Sequence, residues 1–311
     1  MEMRHLLHFV ALAEEGQFTA AARRLNIVQS GLSVTIKEME QELGVQLVNR
    51  TTRTVSLTDA GELFLEHARS SLLMLNDGIE AVRSRDGVVR GRLHLGILQS
   101  LGPYVDLPLL LETFRTRYPL VEFSVRSLST EKIPALVRSG YVDLSFHALV
   151  TEKKWAGVKI IPFAQDSLVA ICSRRHALAE RASVSLDLMS EERFVDLTPE
   201  RALRTLVDRT FAENSLRRES VYQVSDVDTM LRFVAGGLGV SIVPSGLARF
   251  SVHSGQLHVL RITTQGHRLP KWRVVIATRA QKRQLPGKTT VELFLETLAT
   301  LQAKEKPSRS A

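Results

Sequence analysis

The sequence predicts an α/β chain in three parts: a winged helix-turn-helix, one long linker helix, and a two-lobed α/β unit that fills the last two-thirds. Three observations carry this expectation. Two short helical segments rich in small residues precede a β-branched, basic hairpin over 48–57. An apolar residue then recurs every three or four positions from Leu65 to Val82. Beyond residue 90, strand-like and helix-like patterns alternate.

With 311 residues, 44% hydrophobic and 24% charged, the chain is long enough for two or three cores and too apolar for disorder. The tail Lys304–Ala311 is the exception and is expected to fray. The first segment places Met3, Leu6, Leu7, Val10 and Ala13 at helical spacing. Arg4 before an apolar run imitates a short signal peptide, but His5 and His8 interrupt that run, so a helix is the reading. No apolar stretch approaches the roughly 20 residues of a membrane span, and a cytoplasmic location is expected.

Thr19 opens the next helical pattern, Ala20-Ala21-Ala22-Arg23-Arg24-Leu25, closed by Asn26. Ser30 is read as the N-cap of a second helix to Leu43, stopped by Gly44. Leu32, Ile36, Met39 and Leu43 form its buried stripe. Its other face carries Ser33, Val34 and Lys37, with Gln29, Ser30 and Gly31 leading it. A short helix with a small, polar leading turn, packed on another helix, is the geometry that enters a major groove. Gln29, Ser30 and Ser33 can reach base edges, and Lys37 suits a phosphate.

The hairpin raises the specificity of this reading. Over Val48–Leu57 it presents Arg50 and Arg53 to the DNA backbone or minor groove; the alternative is a solvated charged hairpin. The net charge of +8 adds little, because acidic residues slightly outnumber basic ones over 1–90. From Thr58 to about Arg85 a capped helix carries Leu65, Ala68, Leu72, Leu75, Ile79 and Val82 as a heptad seam. Pairing with a second copy is the reading; packing on the rest of the same chain is the alternative.

Taken together, Gln17-Phe18-Thr19-Ala20-Ala21-Ala22-Arg23-Arg24-Leu25, Gln29-Ser30-Gly31-Leu32-Ser33, Ile36, Glu40, Glu42-Leu43-Gly44-Val45-Gln46-Leu47, Arg50 and Leu57-Thr58-Asp59-Ala60-Gly61 resemble the LysR-type transcriptional regulators. The likeness spans roughly 60 residues in register, and a composite pattern of that kind is specific. Gly31, Val34 and Val48 depart from residues common in that family. Val34 removes one polar base reader. The resemblance implies a homodimer assembled into a homotetramer, double-stranded operator DNA as partner, and a periplasmic-binding-protein-like domain closing on a small effector.

The remaining segments fit that implication. Arg83-Ser84-Arg85-Asp86-Gly87 reads as a hinge, placing the DNA-binding part at 1–58, the linker at 59–90 and the effector domain at 91–311. Strands are expected at Arg92–Leu98, Glu122–Leu128 and Val142–Phe146, with helices near Tyr104–Tyr118 and Thr130–Ser139, giving a largely parallel sheet. A second lobe is expected over about 162–265, with strands near Ser167–Cys172, Phe194–Leu197, Val221–Val224 and Gly239–Val243 and a helix near Glu200–Asn214. Strand Lys271–Thr278 and helix Lys288–Ala303 return to the first lobe, which comprises about 91–161 and 266–303.

Ligands in open α/β sheets sit beyond the carboxyl ends of strands. Those turns hold Ser100, Leu101, Ser129, Thr130, Thr198, Ser225 and Asp226, and suit a polar or carboxylate-bearing effector. Each alone is equally well an N-cap. His147, following the strand at Val142–Phe146, is a further candidate, although a lone histidine is more often structural. Cys172 lies in the apolar run Leu168–Cys172 and reads as a buried strand residue.

Gly236-Gly237-Leu238-Gly239 lies between a helix and a strand, the reverse of a phosphate-binding loop. No catalytic or metal-ligand motif stands out, so neither an enzyme nor a cofactor or metal is expected. A solute-binding transport protein would share the two lobes but not the wing and heptad helix. A purely structural DNA-binding protein would leave two-thirds of the chain idle.

Overall fold

The computed structural model describes residues 1–311 except 51–54, 84–87, 129–131, 151–154, 252, 264–265, 267, 281–287 and 306–311. The expected hinge, the wing tip with Arg53, the turn with Ser129 and Thr130, and most of the tail therefore lie outside the described residues.

Three helices open the chain: α1 (Met3–Glu15), α2 (Phe18–Leu25) and α3 (Gln29–Leu43). Asn26 and Gly44 end α2 and α3 as left-handed C-caps. Ala21 and Ala22 are buried between the helices, where small side chains let α1 and α2 approach closely. Phe9, Leu12, Leu32, Ile36, Met39 and Leu47 fill the core around them. One boundary differs from expectation. Leu32 N–H donates to the Val28 carbonyl at 3.2 Å, closing the first turn of α3 early. Val28 therefore takes the N-cap position, and Ser30 lies within the helix.

Strands β1 (Val48–Arg50) and β2 (Val55–Leu57) pair antiparallel as the wing. Glu40 Oε1 accepts from the backbone N–H of Leu47 at 2.9 Å and of Val48 at 3.2 Å, so a carboxylate on α3 fixes the entry into the wing. Helix α4 (Asp59–Arg83) follows. Thr58 Oγ1 accepts from Gly61 N–H at 3.0 Å and donates to the Gln46 carbonyl at 2.7 Å, starting the helix against the wing.

The first lobe carries β3 (Arg90–Ile97), α5 (Leu107–Arg117), β4 (Leu120–Ser127), α6 (Ile133–Arg138), β5 (Leu144–Ala148) and β6 (Val158–Asp166). Helix α5 begins at Leu107 and not near Tyr104, because Asp106 caps it through Leu109 N–H at 3.0 Å. The second lobe holds β7 (Leu168–Ser173), β8 (Ser183–Ser185), α7 (Leu186–Ser190), β9 (Arg193–Leu197), α8 (Ala202–Glu213), β10 (Glu219–Val224), α9 (Val227–Ala235), β11 (Ser241–Pro244), α10 (Ser245–Phe250) and β12 (Leu257–Thr263). Strand β13 (Trp272–Arg279) and helix α11 (Thr290–Glu305) then rejoin the first lobe.

The sheets are mixed, not largely parallel. In the first lobe the order is β4-β3-β5-β13-β6; β3 runs parallel to β4 and β5, while β13 is antiparallel to both neighbours. In the second lobe the order is β11-β7-β12-β8, with β7 antiparallel to β11 and β12. The connections explain this. The chain leaves the first lobe through β6 and returns through β13, so the departing and returning strands run opposite ways. The break expected near 161 falls inside β6, whose pairing with β13 continues to Asp166. Strands β9 and β10 form a parallel pair, joined to the region of β11 by a bridge from Phe194 to Val240. The backbone approach there is close: a Cβ at Gly239 would lie 2.4 Å from the Arg193 carbonyl oxygen.

Gly61 sets an equally close approach between α4 and the wing, since a Cβ there would lie 2.0 Å from the Leu47 carbonyl oxygen. Gly61→Ala is expected to destabilise the N-terminal unit by about 2 kcal/mol through overpacking, seen as a lowered first transition in calorimetry. An unchanged transition would show that the wing shifts at no cost.

Candidate nucleic-acid interface and effector cleft

The N-terminal unit presents one polar face. Thr19 and Gln29 are both exposed, and Thr19 Oγ1 donates to Gln29 Oε1 at 3.3 Å, tying the starts of α2 and α3. That contact leaves the Gln29 amide hydrogens available. Ser30 and Lys37 are exposed beside it, Ser33 is half-exposed, and Val34 stands out at 55% exposure. Arg50 ends β1, with its side chain outside the described part. The inner face of the same helix holds Leu32, Ile36 and Met39, while Leu43, expected to continue that stripe, is exposed in the last turn.

Helix α4 divides along its length. Ala68 is buried and Leu65 half-buried in the N-terminal core, so this part of the heptad stripe packs within the chain. Phe64 meets Phe9 edge-on at 5.3 Å. Leu72 is half-buried, and Leu75 and Ile79 are exposed. Val82 belongs to the helix, with its side chain outside the described part.

The same helix ties the N-terminal unit to the first lobe. Glu14 on α1 accepts from Arg69 at 3.0 Å and pairs with Arg24 at 2.7 Å. The Arg69 guanidinium lies 4.6 Å from the centre of the Tyr141 ring, and Arg126 of β4 lies 4.8 Å from that ring. One turn away, Arg138 of α6 bonds Glu66 at 2.9 Å. His94, on β3, has its pKa lowered by burial and by Arg92 and Arg126, with Glu14 opposing. None of these pairings was foreseen. The two ion pairs that α4 makes, Arg69 with Glu14 and Glu66 with Arg138, join residues 55 and 72 positions apart, beyond the reach of any local pattern.

The expected effector residues gather at strand ends, in two groups. In the first lobe, Ser100 and Leu101 follow β3, with Leu101 buried, and His147 lies in β5. In the second lobe, Thr198 follows β9 and Ser225 and Asp226 follow β10; Thr198 N–H donates to the Val224 carbonyl at 3.0 Å, drawing those turns together. Two of these side chains already have partners. Thr198 Oγ1 donates to Glu200 Oε1 at 2.6 Å, and that bond lowers the Glu200 pKa. Asp226 caps α9 through Thr229 N–H at 2.9 Å, which lowers its own pKa. Arg201, absent from the expected set, contributes to the Asp226 shift and has a buried Nε without a hydrogen-bond partner.

Asp166 occupies the crossing between lobes. Its carboxylate accepts from Tyr104 Oη at 3.2 Å, Ser245 Oγ at 2.6 Å and the backbone N–H of Ser167 at 2.7 Å and Gly246 at 2.6 Å. Tyr104 belongs to the first lobe and Ser245 and Gly246 to α10 of the second, so one carboxylate holds both. Arg209 of α8 adds a second tie by donating to the Val150 carbonyl beyond β5. Among the described residues, no group of three or more His, Cys, Asp or Glu side chains could hold a metal ion, and no helix is long and apolar enough to cross a membrane.

His147 is 1% exposed, meets Trp155 edge-on at 4.8 Å, and has no hydrogen-bond partner at either ring nitrogen. Burial pushes its pKa down to about 4. The folded value lies below the 6.5 of the ordinary side chain, so the unfolded chain takes up the proton first. The contribution of His147 to stability is therefore fully present above about pH 6.5 and is lost as pH falls toward 4. His147→Leu is expected to flatten that part of a urea-midpoint profile against pH; an unchanged slope would place the loss in other groups.

The comparisons with known proteins agree with this arrangement. Residues 3–62 match the family described as bacterial regulatory helix-turn-helix protein, lysR family, and residues 86–303 match the LysR substrate binding domain. The HTH-type transcriptional regulator AlsR of Bacillus subtilis is 31% identical over 247 residues, covering 79% of this chain and 81% of that protein. Full-length OxyR of Pseudomonas aeruginosa, solved as a cysteine-to-aspartate variant, superposes with a TM-score of 0.72 at 25% identity, covering 96% of this chain and 94% of the other. Full-length CbnR, solved in complex with its target DNA, superposes with a TM-score of 0.62 at 25% identity, covering 96% and 99%. With both of its parts matched, the chain belongs to the LysR family of DNA-binding transcriptional regulators with a small-molecule effector domain.

Proposed function

We propose that α3 enters the major groove of an operator and that two copies, paired along α4, place two such helices on successive half-sites. The observation that carries this reading is the outward face of α3, with Gln29, Ser30, Ser33, Val34 and Lys37 and with Thr19 of α2 beside it, on a helix that buries Leu32, Ile36 and Met39 on its other side. Arg50 and Arg53 of the wing hold the adjacent backbone. Leu75 and Ile79, exposed in the single chain, continue the stripe begun by Leu65, Ala68 and Leu72 toward Val82 and support pairing. Two dimers joined into a tetramer, in the cytoplasm, complete the reading.

The effector is a polar or carboxylate-bearing molecule held between Ser100, Leu101, Ser129, Thr130 and His147 of the first lobe and Thr198, Ser225 and Asp226 of the second. The sole cysteine, Cys172, is buried in β7, and burial pushes its thiol up to about 11. The signal we assign is therefore a bound molecule and not oxidation of a thiol. An effector acts only through different affinity for two arrangements of the chain. The contacts at Asp166 and at Tyr141 are where those arrangements can differ.

Footprinting on the intergenic DNA beside the gene, with a scrambled duplex as control, tests the reading directly. Paired, salt-sensitive protection absent from the scrambled duplex is expected; equal protection of both would contradict sequence-specific binding. Lys37→Ala is expected to weaken all duplexes alike and to lower the salt slope by about one unit. In a screen of small carboxylates, Ser100→Ala and Thr198→Val are expected to weaken the response of DNA binding to an active compound while leaving basal binding intact. Loss of basal binding in both would mean a folding defect.

A further inference from the structure

Two apolar side chains on the face read above as the major-groove surface are mostly exposed. Val28 is 70% exposed at the N-cap of α3, and Val34 is 55% exposed in its second turn. At 100° per residue, Val34 lies nearly opposite the buried Leu32, Ile36 and Met39. It projects between Ser30, one turn before it, and Lys37, one turn after. Gly31 leaves the space between the two valines free of any side chain; a Cβ built there would touch Val28 Cγ2 at 3.5 Å. Val28, Gly31 and Val34 thus form a narrow apolar strip bordered by Gln29, Ser30, Ser33 and Lys37.

A β-branched residue lowers helix propensity, and at so exposed a position it recovers little burial. Nothing within the chain accounts for this strip. It is continuous with the face read above as the major-groove surface, and the inference rests on that reading. Among the groups displayed in the major groove, an apolar side chain can match only one: the 5-methyl of thymine. An amino or carbonyl edge against Val34 would lose its water without gaining a hydrogen bond.

We infer that Val34, with Val28 beside it, reads thymine 5-methyl groups, so that each half-site carries thymine opposite the middle of α3. Specificity at those positions then comes from methyl contact, while Gln29, Ser30 and Ser33 supply the polar readout around it.

The test uses the full chain and a duplex enriched from a random pool by that chain. Each thymine is replaced singly by deoxyuridine, which removes the methyl and keeps the pairing, and affinity is measured at fixed salt. One or two positions in each half-site are expected to weaken by about fourfold, the worth of one buried methyl. Those positions become insensitive to the replacement in Val34→Ala or Val28→Ala. Alanine is the better helix former, so circular dichroism and the salt slope are expected to stay unchanged. A flat deoxyuridine scan with the wild-type chain overturns the inference. So does sensitivity that persists in both variants, or a drop in sedimentation mass that accompanies such persistence, which would assign the strip to contact between copies. A pool with no enriched duplex would instead contradict the major-groove reading itself.

Discussion

The ion pair between Arg69 and Glu14 sits where the molecule's parts meet. Both side chains are largely buried, at 16% and 13% exposure, so the pair is screened less than a surface bridge. Glu14 also holds Arg24, at the end of α2, and Arg69 also covers the ring of Tyr141. A single carboxylate on α1 thereby orients α2, α4 and, through one guanidinium, the edge of the first lobe. Removing either partner would leave the other charge partly buried, at a cost of about 2 kcal/mol. Helix α3 is fixed to α4 through the same core, and α4 is fixed to the lobe by the Tyr141 contact and the Glu66–Arg138 pair. The position of α3 is therefore not independent of the effector domain.

A second carboxylate does the corresponding task within that domain. Asp166 lies where β6 becomes β7 and takes donors from both lobes, so any change in the angle between them must stretch or exchange those bonds. Oxygens of one carboxylate can change donors at low net cost, because water replaces what a protein donor gives up. The two centres act at different joints: Asp166 ties the lobes to each other, and the Glu14–Arg69–Tyr141 contacts tie the N-terminal unit to the first lobe. Specific polar contacts of this kind are exchanged or kept, which favours discrete arrangements over gradual deformation.

What the sequence disclosed follows from range. The stripe Leu32, Ile36, Met39 and the caps at Asn26 and Gly44 are local, and so they were legible. The alternation of strands and helices beyond residue 90, with polar turns at strand ends, was equally plain. The mixed character of the sheets was hidden, because β6 and β13 pair across more than a hundred residues and a strand's own pattern does not report its neighbour's direction. Short elements such as β8, α7 and α10 lack the length that makes a period visible. The polar joints were invisible for the same reason: Tyr104, Asp166 and Ser245 come from three separate segments, as do Glu14, Arg69 and Tyr141. Hydroxyl residues at strand ends read ambiguously, and the structure shows why. Asp226 already serves as a cap and Thr198 is bonded to Glu200, yet both lie near Arg201, whose buried Nε has no hydrogen-bond partner.

Coupling between cleft and operator must be reciprocal, so DNA alone should alter the effector domain. Hydrogen exchange of the full chain, with and without an enriched operator duplex, measures this without an identified effector. Slowed exchange is predicted in α2 and α3, accompanied by a change in α6 and β5, which flank Tyr141. Changes confined to residues 3–62 would contradict the account, because the contacts from Glu14 to Tyr141 would then carry nothing between the two parts.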